Sequence, residues 1–328
     1  MKRALVCLTA LACASPALAK KSFDYYVEGD PADVVTSTTS GTVLMGGGTD
    51  VDAAFEWLCT LSGGGDFLVI RASGTDAYNP YIRELCPNGN SVATLIIPSR
   101  AAAEDPAVLN LVDTAEALWI AGGDQSNYVN YWQDSPLEDA INSAIARGVP
   151  VGGTSAGMNV LTEFVYSALG SKGATSTQAL ADPFNKYMTF TTNFLATPHL
   201  DGVIGDPHFV ERDRMGRDLA FLCRVYANGW SPEPRGIAVD RETALQIDAN
   251  GVATAVGNGT AYFLQAPGAP AVCSPGSPLT YANVAVYRLR AGTGRFNLGR
   301  WSGNGGTAYT VSAVNGVLTS SQPGGSPY

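Results

Sequence analysis

The chain has 328 residues, 45% of them apolar and 15% charged, which suffices for a large α/β domain and argues against wholesale disorder. Its 20 basic and 29 acidic residues leave a net charge of −9, unfavourable for phosphate backbones and anionic lipid, so neither nucleic acid nor a membrane is expected as a partner. There are two histidines, His199 and His208, too few for a histidine-rich metal site.

Residues 1–19 begin with Lys2 and Arg3, continue through an apolar run from Ala4 to Ala14, and end in Ala17-Leu18-Ala19. Basic start, short apolar core and small-residue end are the parts of a cleaved secretory signal, so a secreted or periplasmic protein is expected. Cys7 and Cys13 would leave with the signal. Cys59, Cys86, Cys223 and Cys273 then remain, an even count that suggests two disulfides in an oxidising compartment. Proximity along the chain favours Cys59–Cys86 and Cys223–Cys273. No C-x-x-C occurs, so no zinc knuckle or redox dithiol is indicated.

From Gly41 to about Asp240, apolar runs alternate with helix-like segments. Thr42–Met45, Phe67–Ile70, Ala93–Ile97, Ala117–Ile120 and Val149–Gly152 read as buried strands. Asp52–Leu61 and Leu137–Ala146 read as helices. Apolar strands alternating with helices predict a mostly parallel sheet covered on both faces. Gly46-Gly47-Gly48 fits no nucleotide-binding pattern and reads as a turn. After Gly251 the texture turns β-rich, with strands at Ala261–Leu264 and Val284–Leu289. Residues 20–298 form the expected catalytic domain, and 299–328 a Gly/Ser-rich tail whose last residues are expected to be disordered.

The most specific signal is Gly153-Thr154-Ser155-Ala156-Gly157, between a strand and a helix-like stretch. G-x-S-x-G in that setting is a nucleophile elbow, whose sharp turn exposes the serine oxygen and tolerates only small neighbours. The base is expected to be His208, which precedes Glu211-Arg212-Asp213-Arg214-Met215-Gly216-Arg217. Read as a helix from about residue 210, this run buries Met215, Leu219 and Leu222 and places Arg214 and Arg217 one turn apart. Such a cluster suits substrate carboxylates. With no histidine after His208, the order serine, histidine, acid disfavours an α/β-hydrolase and directs the search for the acid to Val239-Asp240-Arg241-Glu242-Thr243. Gly122-Gly123-Asp124-Gln125 follows a strand at the edge where open α/β sheets bind ligands.

Together these segments, with Ala179–Pro183 and Gly236–Ala244, resemble the cyanophycinases and their relatives in serine peptidase family S51, over about Val43 to Leu298. The resemblance implies a three-layer α/β fold like that of the class I glutamine amidotransferases, with Ser155 as nucleophile and His208 as base. It also implies an oxyanion hole from the Gly123 and Ala156 amides, and a pocket lined by Gln125, Asp206, Arg212, Arg214 and Arg217. No metal or other cofactor is implied. The expected partner is a peptide or cyanophycin polymer, with a homodimer left open. Two positions depart from the family pattern: Pro207 replaces a glutamine, and Arg241 stands where the family has its triad glutamate. Asp240 and Glu242 flank it, and in a strand both would point away from the face of Arg241. Glu242, with the longer reach, is the expected acid. The alternatives are an aspartyl or isoaspartyl peptidase acting on short peptides, and a binding protein whose triad has decayed through Arg241.

Overall fold

The computed structural model describes residues 22–170 and 172–328; the expected signal at 1–19, with Cys7 and Cys13, lies outside them. Five parallel strands form the centre of the first sheet, in the order Ser91–Ile96, Phe67–Arg71, Ala117–Ile120, Val151–Thr154, Gly41–Met45. Antiparallel strands extend it on both sides, Asp24–Gly29 at one edge and Thr243–Asp248 leading to the other. Residues of one strand alternate between two apolar clusters. Leu44, Leu68, Ile70, Leu118 and Ile120 face helices Pro106–Asp113 and Pro136–Ala146. Val43, Met45, Val69, Ala117 and Trp119 face helices Asp52–Leu61 and Tyr78–Leu85. This is the three-layer arrangement that unbroken apolar strands require, because both faces must be covered.

The segments after the elbow build a second sheet, ordered Val317–Ser320, Thr307–Val314, Tyr281–Arg290, Thr260–Gln265, Arg235–Val239, Val203–Pro207, Phe164–Tyr166, Phe190–Thr192. One of its faces joins the first sheet's core through Val203, Ile237, Val239 and Phe263. The other packs on helix Met215–Ala227 through Leu219, Leu222 and Val225.

Two local expectations are corrected. The helix expected from about residue 210 begins at Met215; residues 208–213 are a turn, with His208 and Asp213 at φ 51° and 47°. The tail is ordered to its end: Ser302–Asn304, Thr307–Val314 and Val317–Ser320 are strands, and Tyr328 docks on the 208–215 segment. Its hydroxyl accepts from the Met215 amide at 3.0 Å and donates to Asp213 Oδ1 at 2.8 Å, with its ring edge-on to Phe209. Alternating apolar residues at Tyr309, Val311 and Ala313 give that part of the tail a face to bury. Both expected disulfides are formed, Cys59–Cys86 and Cys223–Cys273. No helix among the described residues is long and apolar enough to cross a membrane.

Candidate active site

Ser155 sits at the end of strand Val151–Thr154 and caps the short helix Ala156–Val160, with φ 52° and ψ −110°. That is a strained backbone for a non-glycine residue, and it projects the side chain out of the turn. The flanking glycines have a steric reason. A Cβ on Gly153 would lie 2.6 Å from the Gly157 carbonyl carbon, and one on Gly157 would collide with the Ile120 carbonyl oxygen. Strand, turn and helix close on one another there, leaving no room for side chains.

His208 comes from the second sheet, just past strand Val203–Pro207, also at positive φ. Its Nε2 lies 2.9 Å from Ser155 Oγ. Three consecutive carbonyls at the end of strand Gly41–Met45 align the two sheets. Met45 O accepts from the Ser155 amide at 3.0 Å, Gly46 O from His208 at 2.8 Å, and Gly47 O from Glu242 at 2.7 Å. A Cβ on Gly47 would collide with the His208 ring. The glycine triplet read as a plain turn is thus a wall of the site, and its signal was its place at the carboxyl end of a buried strand.

The acid is where the expectation fails. Glu242 Oε1 accepts from Arg241 Nη2 at 2.7 Å, and the carboxylate at His208 Nδ1, 3.0 Å away, belongs to Glu211. The strand assumed for Gly236–Ala244 is interrupted, because residues 240–242 turn from strand Arg235–Val239 of one sheet to Thr243–Asp248 of the other. Strand alternation therefore does not govern where 240–242 point. Asp240 buttresses the turn that carries His208, accepting the Val210 amide at 3.1 Å and the Thr260 amide at 3.2 Å. Glu211 lies in the charged run, of which the sequence reading singles out the arginines and the buried stripe alone. A carboxylate three residues after the base was the available signal.

His208 is buried, and its pKa is held down to about 4, by desolvation first and then by the Arg212 and Arg214 charges, against the opposing pull of Glu211. The imidazole is neutral at ordinary pH and able to accept a proton. Asp206 is fully buried and binds both Arg214, at 3.1 Å, and Arg217, which pairs with both of its oxygens. Arg217, 3% exposed and packed over the Tyr166 and Phe221 rings, is turned into the core. Asp206 and Arg217, expected to line a substrate pocket, are engaged with each other, whereas Arg212 stays half-exposed at the rim. Burial first, then Asp206, pushes the carboxyl of buried Asp218 well above the usual carboxylate range, against the opposing pull of Arg217.

Gln125 begins helix Gln125–Trp132 and donates to the Tyr166 carbonyl at 3.3 Å, linking the two sheets' elements. The Gly122-Gly123 loop borders Ser155: a Cβ on Gly122 would lie 3.6 Å from Ser155 Cβ. The Ala156 amide opens the helix after Ser155. Beside Gly48, a cavity of about 420 Å³ is lined by Asp50, Asp52, Arg71, Tyr78 and Tyr81.

Comparisons with known proteins point to one family. The sequence model for Peptidase family S51 matches residues 87–252. A cyanophycinase from Geminocystis herdmanii is 30% identical over 167 residues, 51% of this chain and 55% of that protein, so this match spans about half the length of the relative. One from Trichormus variabilis is 26% identical over 283 residues, 80% of this chain and 87% of the relative. The crystal structure of a peptidase from an acI-B1 Actinobacterium is similar in fold, with a TM-score of 0.52 and 18% identity over 78% of this chain and 96% of that one. With half its length matched by the family model and the elbow serine seated against a histidine, the chain belongs to peptidase family S51 and is a serine-type hydrolase.

Proposed function

We propose that this chain is an exported exopeptidase that hydrolyses cyanophycin, a poly-aspartate backbone with arginine on its side-chain carboxyls, to β-aspartyl-arginine. The observation that carries the reading is the 2.9 Å contact between Ser155 Oγ and His208 Nε2, with Glu211 on the far side of the ring. Ser155 Oγ attacks the backbone carbonyl carbon while Nε2 takes its proton. Glu211 holds the Nδ1–H tautomer and balances the imidazolium that forms. The Gly123 and Ala156 amides receive the negative oxygen. Collapse breaks the C–N bond as Nε2 protonates the departing amine; water, deprotonated by the same nitrogen, then attacks the acyl carbon, and the C–Oγ bond breaks as Nε2 returns the proton to Ser155, releasing the acid product. Arg212, with Arg214 behind it, draws a substrate carboxylate to the rim.

Two disulfides and the apolar leader are what an exported enzyme would carry, and such an enzyme would act on polymer released by other cells. The relatives named cyanophycinase support this substrate over short aspartyl peptides. Incubation with insoluble cyanophycin and with Asp-X dipeptides tests the choice. Release of β-aspartyl-arginine from the polymer is expected, and turnover of the dipeptides alone would reverse it. Ser155→Ala should abolish hydrolysis with the thermal melt unchanged, since it removes one half-buried hydroxyl and little packing.

A further inference from the structure

We infer that Arg241 is a positioning residue for the acid: its guanidinium holds Glu211 in the orientation that receives His208 Nδ1. The inference rests on the serine-hydrolase reading of Ser155 and His208 and concerns how that pair is oriented.

The two oxygens of Glu211 are divided between two partners. Oε1 meets His208 Nδ1 at 3.0 Å, and Oε2 meets Arg241 Nε at 3.1 Å. Arg212 approaches less closely, at 3.5 Å, and to Oε1, the oxygen His208 already uses. Arg241 is thus the cation that engages the carboxylate without competing for the catalytic contact.

Glu211 needs such a partner. Its side chain is 29% exposed, has three rotatable torsions, and sits on a turn rather than a helix, so the backbone does not preset it against the ring. Hydrogen bonding from the Val210 amide to Asp240 fixes the neighbouring backbone but not the carboxylate. Arg241 is itself held from the other end, its Nη2 donating to Glu242 Oε1 at 2.7 Å. A planar fork that stays charged can bridge two carboxylates in this way, where an ammonium is a single point of charge. Gly48 leaves space for it, since a Cβ there would lie 3.1 Å from Arg241 Nε. The residue that departs from the family pattern is the one that orders the acid of this site.

The test is a double-mutant cycle on the full chain, read by the labelling rate of Ser155 with a fluorophosphonate probe, which needs no knowledge of substrate. Arg241→Ala should slow labelling about tenfold, a coupling of the size seen between contacting residues, and Arg241→Lys should recover part of it. In a Glu211→Gln background, Arg241→Ala should cost less than about twofold more, because the ion pair it serves is already gone. In hydrolysis, Arg241→Ala should lower kcat and leave KM unchanged. Thermal melts identify variants that fold, and Arg241→Gln substitutes if the alanine variant does not. Equal losses in both backgrounds, or no loss in either, would overturn the role of Arg241 while the serine-hydrolase reading stands. A wild-type chain that the probe fails to label would overturn that reading and this inference together.

Discussion

The imidazole beside Ser155 is neutral because of where it lies. His208 is 7% exposed and faces two guanidiniums, so its pKa falls to about 4 from the usual 6.5. The acid limb of kcat/KM should therefore fall near pH 4, and Arg212→Ala should move it upward, as a pH–rate profile will read. Stability follows the same shift. As pH drops through 6.5 the unfolded chain binds this proton before the folded one does, so His208 costs stability progressively down to about pH 4. The acid gives a second prediction. Glu211→Gln should lower kcat by about 10²- to 10⁴-fold through loss of tautomer control, whereas Glu242→Gln, two residues removed through Arg241, should cost far less. Steady-state kinetics on both variants checks the order, and a greater loss at Glu242 would reinstate it. The contact between Ser155 and His208 was legible in the sequence, the first residue by its elbow and the second by scarcity of histidine. Glu211 was hidden because its meaning depends on the backbone bending at positive φ beside it, and no periodicity encodes that.

Among the elements, the elbow is the most constrained. A Cβ on Gly157 has the Ile120 carbonyl in its way, and backbone cannot give as a flexible side chain would. Gly157→Ala should lower the melting temperature and displace Ser155, with activity falling more than stability; a variant with wild-type turnover would refute the packing argument. The parallel strands were readable as apolar runs because burial on both faces leaves no alternation to misread. Helix Met215–Ala227 is legible in its buried stripe, but its expected start falls several residues too early, because Arg214 ends a polar turn that looks helical by composition. Division of the strands between two sheets was not readable. Thr243–Asp248 pairs with Gly41–Met45 across 200 residues, while neighbouring Arg235–Val239 pairs with Val203–Pro207. Such choices rest on contacts distant in sequence.

At the scale of the molecule, Ser155 and His208 belong to different sheets, joined where Met45, Gly46 and Gly47 present successive carbonyls to Ser155, His208 and Glu242. The sheets also share one apolar cluster, in which Leu44 and Leu245 of the first lie with Ile237 and Phe263 of the second. Neither sheet can slide without parting both. The distance from Ser155 Oγ to His208 Nε2 is therefore a gauge of the whole molecule's integrity. In a urea titration, loss of turnover and loss of far-ultraviolet ellipticity should share one midpoint, as expected of a single cooperative unit. An enzyme silenced at lower urea than it unfolds would instead reveal a shear between sheets, and that shear would be the softest motion the protein possesses.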